Sequence, residues 1–221
     1  GLPVNQGGSG DPSEMTGYGL YQGMKACALD VWGNDSLEGR RIAIQGFGKV
    51  ASYLAGHLLE EEARLIVTDI NQVALDRARE QGLEVLDDPS AIYGVECDVF
   101  APCALGGILN DDTIPRLKCK VVAGCANNQL LEDRHAAMLQ KEGILYAPDY
   151  IINAGGVINI SLEMGQPYDE EAALEKVAGI YDTVERVIYL ARTDGITTAQ
   201  AADRLAQERI AAMRRVKGIY L

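Results

Sequence analysis

The chain has little of what binds a metal, a nucleic acid or a membrane. It holds two histidines, His57 and His135, neither with a histidine or cysteine three or four positions on. Its five cysteines (Cys27, Cys97, Cys103, Cys119 and Cys125) include no C-x-x-C spacing, so no metal site is expected. An odd, scattered set of thiols argues against a disulfide framework and for a reducing, cytoplasmic compartment. Basic residues are scarce: 20 Lys and Arg stand against 32 Asp and Glu, a net charge of −12. Such a chain repels phosphate backbones and anionic lipid surfaces, so neither nucleic acid nor membrane is an expected partner. Aromatic residues make up 6 % of the sequence, and none interleaves with a basic run. No apolar stretch reaches the roughly 18 residues of a membrane span. The first residues, Gly1-Leu2-Pro3-Val4-Asn5, lack the basic and apolar regions of a signal peptide. A start at Gly rather than Met fits a processed end or a piece of a longer chain.

What is present is ordinary in composition and regular in pattern. Hydrophobic residues are 48 % and charged residues 24 % of 221, enough for a sizeable core. Residues 1–10 read as loop. Asp11-Pro12-Ser13-Glu14 reads as a helix start, with Asp11 as N-cap and Glu14 in a capping-box variant. Tyr18, Tyr21, Met24, Ala28 and Val31 follow at helical spacing, and Gly33-Asn34 ends the run. Gly17, Gly19 and Gly23 lie inside this helix, which implies that something approaches one face closely. From residue 40 the pattern alternates. Strands are expected at 41–45, 65–69, 84–86, 98–101, 120–124 and 144–146. Helices are expected at 50–62, 72–81 and 131–142. Alternation of this kind, with nearly continuous apolar strands, predicts a doubly wound parallel α/β sheet. After residue 153 the strands stop. Leu174 to Ala191 reads as one long amphipathic helix broken at Asp194-Gly195. Thr197 and Gln200 form a further capping box, and Leu205, Ile210 and Met213 continue an apolar face.

The first strand runs into Gly46-Phe47-Gly48-Lys49-Val50-Ala51, a G-x-G-x-x-A turn that opens a helix. In a Rossmann-type unit the first Gly makes the tight turn and the second lets backbone approach a pyrophosphate. The small third residue lets helix and strand pack. The helix N-terminus stabilises the phosphate charge. The second strand ends at Asp69, where an acid accepts hydrogen bonds from the adenosine ribose and repels a 2′-phosphate, favouring NAD over NADP. The plain alternative is an ordinary βα turn with a surface Asp. Tyr21 and Lys25 have the Y-x-x-x-K spacing of short-chain dehydrogenases. They precede the glycine turn instead of following it, so they read as helix residues.

Three more segments fall at strand ends, where ligands bind in open parallel sheets. These are Ala101-Pro102-Cys103-Ala104 with Gly106-Gly107, Gly124-Cys125-Ala126-Asn127-Asn128-Gln129, and Asn153-Ala154-Gly155-Gly156-Val157-Ile158-Asn159. Asn side chains and backbone amides suit a carboxamide, which both donates and accepts; turn chemistry alone also favours Asn and Gly. Neither Cys103 nor Cys125 has a Lys or His beside it, so both read as contact residues and not as nucleophiles.

Together with Gly7-Gly8-Ser9-Gly10-Asp11-Pro12-Ser13 and Thr68-Asp69-Ile70-Asn71, these motifs resemble the amino-acid dehydrogenases of the leucine/valine/phenylalanine branch of the glutamate dehydrogenase superfamily, leucine dehydrogenase most of all. The resemblance covers the whole chain but matches only the second, NAD-binding domain of that family. It implies reversible oxidative deamination of an L-amino acid to a 2-oxo acid, NAD as cofactor, and a homo-oligomer when full length. It also implies that the catalytic Lys residues lie in an N-terminal domain outside this sequence, so the chain by itself is inactive. On the same resemblance Thr16 lies near the carboxamide and Gly46, Phe47, Gly48, Lys49, Val50 and Ala51 lie at the pyrophosphate. Asp69, Ile70 and Asn71 surround the adenosine ribose. Cys103, Ala104, Ala126, Asn127 and Asn153 belong to the cofactor site. Asn153, Val157 and Ile160 face the substrate. Ile160, Ser161, Met164 and Cys125 depart from the usual leucine dehydrogenase residues, which leaves branched-chain and aromatic substrates both open. The domain plan is a lead-in helix over 1–36, a Rossmann core over 37–153 and C-terminal helices over 154–221. The alternatives are a stand-alone NAD(H) sensor and an assembly scaffold.

Overall fold

The computed structural model describes residues 1–164 and 168–217, and side chains up to residue 214. In chain order the elements are α1 (Ser13–Trp32), β1 (Arg41–Gln45), α2 (Lys49–Glu60), β2 (Arg64–Thr68), α3 (Gln72–Glu80), β3 (Glu84–Val85), β4 (Val99–Pro102) and β5 (Val121–Val122). They continue with α4 (Arg134–Lys141), β6 (Leu145–Tyr146), α5 (Asp149–Ile152), α6 (Gly155–Ser161), α7 (Glu170–Ala178), α8 (Ile180–Asp194) and α9 (Thr198–Lys217). Every strand pairing is parallel, and the sheet order is β3-β2-β1-β4-β5-β6. The chain winds outward from β1 to β3, crosses back, and winds from β4 to β6. This is the Rossmann order, and its direction reverses between β1 and β4.

The strands are apolar on both faces because both faces are covered. Ile42, Ile44, Leu65, Val67, Val99 and Ala101 pack into one cluster with α1, α2 and α8. Ala43, Ile66, Phe100 and Val122 point the other way, onto Ile92, Leu109 and Leu139. The two-residue alternation of a strand thus divides one sequence between two cores.

α1 is no appendage. Its Leu20, Met24, Cys27 and Ala28 are fully buried in the first cluster. Its glycines explain how it fits. A Cβ on Gly17 would lie 2.8 Å from Tyr53 Cβ and 3.1 Å from both Leu54 N and Val50 O of α2. A Cβ on Gly19 would strike Ile180 at the start of α8, and one on Gly23 would strike Ile152 of α5. The close approach expected from sequence therefore occurs on three sides of the helix.

Three local readings differ. The N-cap of α1 is Pro12, not Asp11, although the Asp11 carboxylate still accepts a hydrogen bond from Ser13 N–H at 3.0 Å. The long helix expected from 174 to 191 is two helices meeting at Gly179, which ends α7 and begins α8. The apolar stripe runs across the break, since Val177 and Ile180 both bear on Gly19, so periodicity alone cannot reveal it. The Asn153–Asn159 segment is mostly the helix α6, not a loop. Near the C-terminus, Thr197 and Gln200 do form the reciprocal box: Thr197 N–H donates to Gln200 Oε1 and Gln200 N–H to Thr197 Oγ1. Ala201 and Ala202 seal α9 against Val187 and Ala191, while Ile210 and Met213 stay exposed.

Two glycines of similar helical context test this packing. Gly17→Ala should destabilise the chain by about 1–3 kcal/mol, because backbone atoms block the new methyl. Gly56→Ala, in α2 with nothing within 4 Å of its would-be Cβ, should stabilise by about 0.5–1 kcal/mol. Urea unfolding of the two variants measures both signs.

Candidate functional site

The C-terminal edge of the sheet is built around the turn from β1 into α2. Gly46 has φ of 95°, a conformation glycine accepts and other residues resist. A Cβ there would also lie 2.7 Å from Ala104 Cβ, so the loop after β4 can rest on this turn only if the residue is Gly. Gly48 is the N-cap of α2 and, having no side chain, gives the first-turn amides no cap bond. Open space surrounds its would-be Cβ. Phe47 turns its side chain fully into the core, so only its backbone faces the edge. Ala51 is buried where α2 meets the sheet. The first-turn N–H groups of α2 therefore point outward without a side-chain partner, the arrangement that attracts an anion.

Asp69 is joined to this turn. Its Oδ2 accepts a hydrogen bond from Phe47 N–H at 2.6 Å and its Oδ1 one from Asn71 N–H at 2.8 Å. Two oxygens offer about four acceptor positions, so capacity remains for further donors. The Phe47 carbonyl accepts from Arg77 of α3 at 2.6 Å, and the same guanidinium lies 5.5 Å from the Phe47 ring centre. Sequence reasoning gave Arg77 no role, and no local motif marks it. Asn71 spends its side chain capping α3, accepting from Val73 N–H at 3.0 Å. Ile70 between them is 91 % exposed, an apolar side chain held out beside the carboxylate. Lys49 reaches Asp11 of the loop before α1 at 2.7 Å. The Lys49 ammonium holds the Asp11 carboxyl well below the usual carboxylate range.

The remaining positions form a second group. Asn153 donates from Nδ2 to Asn127 Oδ1 at 2.8 Å and to the Cys125 carbonyl at 3.3 Å. Asn127 is exposed, and Ala126 beneath it is 5 % exposed. Gly106 passes so near the Asn127 and Asn128 carbonyls that a Cβ would lie 2.5 Å and 2.8 Å from them. The loop carrying Asn127 hangs on a buried residue that the sequence reading left without a role. Gln129, fully buried, donates from Nε2 to the Gly124 and Ala126 carbonyls at 2.7 and 3.0 Å, and its N–H donates to Asp149 Oδ2 at 3.2 Å. Thr16 packs against the N-terminus of α6, where a Cβ on Gly156 would lie 2.6 Å from Thr16 Oγ1. Gly155 approaches the Met15 carbonyl even more closely, so the paired glycines serve helix packing as well as turning. Val157 and Ile160, three apart on α6, are 73 % and 36 % exposed, with Met164 at 75 % just beyond.

Tyr21 and Lys25 lie elsewhere. Both bind Glu61 at the far end of α2, at 2.8 and 2.6 Å. Burial and the Glu61 carboxylate push the Tyr21 phenol upward, away from the range of a general base. Among the described residues, no group of three or more His, Cys, Asp or Glu side chains is placed to hold a metal ion, and no helix is long and apolar enough to cross a membrane.

Comparison with known proteins agrees with this fold. A family model for glutamate/leucine/phenylalanine/valine dehydrogenases matches residues 7–73 and 63–218. The chain belongs to that family. It is 54 % identical to a leucine dehydrogenase of Bacillus cereus over 221 residues, all of this chain and 60 % of the relative. It is 45 % identical to a phenylalanine dehydrogenase of Thermoactinomyces intermedius, covering 100 % of this chain and 61 % of that one. The solved structure of L-tryptophan dehydrogenase from Nostoc punctiforme superposes with a TM-score of 0.87 at 45 % identity, over 93 % of this chain and 61 % of that one. The chain thus spans about three fifths of the length of these dehydrogenases.

A pH response follows from Glu163, which closes the N-terminal loop onto the end of α6. Its carboxylate accepts from Ser9 N–H at 2.6 Å, Ser9 Oγ at 2.5 Å and Leu2 N–H at 3.0 Å. These donors, Ser9 first, pull its pKa from 4.5 to about 2. A depressed folded-state value means the tie is complete above 4.5 and is lost as pH falls through about 2. Exchange of the Ser9 amide, corrected for intrinsic rate, should accelerate over that window in the native chain and show no such step in Glu163→Gln.

Proposed function

We propose that this chain is the NAD-binding domain of an L-amino-acid dehydrogenase that oxidatively deaminates a branched-chain or aromatic amino acid to its 2-oxo acid and ammonium. The observation that carries the reading is Asp69, held by the Phe47 and Asn71 amides beside the uncapped N-terminus of α2. NAD fits this donor set. Its pyrophosphate would lie on the amides of Gly48 to Ala51, with the Lys49 ammonium close by. The Asp69 carboxylate would accept the adenosine ribose hydroxyls and repel a 2′-phosphate, with the exposed Ile70 beside the adenosine and Asn71 positioning the turn. Cys103 and Ala104 would line the middle of the cofactor. Ala126, Asn127, Asn153 and Thr16 would border the nicotinamide end, where paired Asn side chains match an amide that both donates and accepts.

NAD held by these residues would supply the hydride acceptor for oxidation at the amino acid's α-carbon. The chain's own part is to orient that acceptor and to present one wall of the substrate site. Val157 and Ile160 of α6 supply an apolar surface next to Asn153, in keeping with an apolar substrate side chain. Proton transfer falls to residues of the portion that the longer relatives have and this chain does not span. Hydride transfer also needs water excluded, which requires a second body to close over this edge. Joined to that body, the protein would work as a homo-oligomer on L-amino acids, with helices α6 to α9 returning toward the catalytic domain.

Two measurements test the reading. Asp69→Ser should weaken NADH binding by about tenfold or more, the cost of one or two charge-assisted hydrogen bonds, and should narrow the preference over NADPH. Calorimetric titration of both cofactors reads the ratio, and equal affinities unchanged by the substitution would remove the Asp69 assignment. The chain by itself should bind NADH and turn over neither leucine nor phenylalanine, whereas the chain joined to its N-terminal domain should turn over at least one of them.

A further inference from the structure

Four of the five cysteines are arranged by the sheet into two pairs. β4 and β5 run in register with partners 22 positions apart: Val99 faces Val121 and Phe100 faces Val122. The isolated bridge between Glu96 and Lys118 keeps the same offset at the lower end. Cys97 and Cys119 fall inside this ladder as opposite residues. Cys103 and Cys125 carry the same offset at the upper end, just beyond the ladder. There Gly124 lies so close to the Pro102 backbone that any side chain would collide with it. In each pair the common offset brings the two cysteines side by side on neighbouring chain segments. Neighbouring strands are about 4.8 Å apart, inside the Cα separation of about 4.4–6.8 Å that a disulfide spans.

The pairs differ in surroundings. Cys119 is buried at the end of the sheet away from the proposed cofactor. Cys103 and Cys125 are both half-buried at the cofactor edge. Their backbones are wired to that edge. Cys103 N–H donates to the Gln45 carbonyl directly before Gly46. Ala104, the next residue, rests on Gly46, and the Cys125 carbonyl accepts from Asn153. The nucleophilic form of a cysteine is the thiolate.

We propose that Cys103 and Cys125 are an oxidisable dithiol, a modification site for peroxides, whose disulfide form disturbs the rim that holds the dinucleotide. The thiolate of one cysteine attacks hydrogen peroxide, taking one oxygen as a sulfenic acid and releasing hydroxide. The thiol of the other displaces that oxygen as water and forms the S–S bond. In sum two thiols and one hydrogen peroxide give one disulfide and two waters. Drawing the two sulfurs to bonding distance moves the ends of β4 and β5, and with them Ala104 on Gly46 and Asn153 on Cys125. The effect on cofactor rests on the function proposed above; the disulfide does not.

The test uses the reduced chain, a small excess of hydrogen peroxide, alkylation of remaining thiols and peptide mass spectrometry, with NADH titrated before oxidation, after it, and after re-reduction by dithiothreitol. The expected result is a Cys103–Cys125 cross-link two hydrogens lighter than the reduced pair, with NADH affinity lowered about fivefold or more and restored by the reductant. Cys125→Ser should abolish the cross-link, and Cys119→Ser should keep both the cross-link and the affinity change. Oxidation that leaves Cys103 and Cys125 unlinked overturns the proposal. A cross-link with unaltered NADH affinity overturns its coupling to the cofactor. A reduced chain that never binds NADH overturns the cofactor assignment, and the cross-link alone then decides the dithiol.

Discussion

The hydrogen bond from Phe47 N–H to Asp69 joins the two elements on which the proposed site depends. One end sits in the turn that leads β1 into α2, and the other at the tip of β2. The bond can form only because Gly46 takes a positive φ and lets the chain double back beneath Ala104. It fixes the carboxylate beside the open amides of α2, while Arg77 anchors the Phe47 carbonyl from the other side. Phe47 contributes through both ends of its peptide, and its ring serves the core. The site proposed for a doubly charged phosphate pair and a neutral ribose is thus assembled mostly from backbone, in a chain whose overall charge is −12. Local amides and a helix terminus act over a few ångströms, so a net negative charge does not preclude binding a dinucleotide.

Small residues do the second half of the positioning. Gly17, Gly19 and Gly23 let α1 lie against α2, α8 and α5, and Gly155 and Gly156 let α6 dock on the first turn of α1. Through these contacts Thr16 and Asn153 are carried by one packed unit, so the nicotinamide end of the proposed site is set by helix packing more than by loop sequence. Gln129 performs a similar service for Asn127 by gathering two carbonyls of its loop from within the protein.

The strands were legible because they are buried on both faces. Ile42-Ala43-Ile44 and Val99-Phe100-Ala101 have almost no polar interruption, and only a parallel sheet covered on both sides requires that. The glycine turn and Asp69 were legible because backbone geometry restricts the residues there. The break at Gly179 was not, since Val177 and Ile180 serve the same surface and the stripe looks continuous. The helix α6 was hidden because Asn-Ala-Gly-Gly has the composition of a turn, and its glycines answer to a neighbouring helix distant in sequence. Gln129, Asp149 and Arg77 carry no local signal at all. Their roles follow from where the fold brings them, as does the pairing of cysteines at a common offset on β4 and β5.

The edge formed by Gly46 to Ala51, Asp69 and the Asn127–Asn153 pair is proposed to be a single dinucleotide site. The most direct measurement is an amide chemical-shift map of the isotopically labelled chain titrated with NAD. Saturable shifts are expected at Gly48 to Ala51, Asp69 to Asn71, and Ala126 and Asn127, all with one dissociation constant. Shifts confined to other surfaces, such as the groove between α8 and α9, or different constants for the two ends of the site, would contradict it.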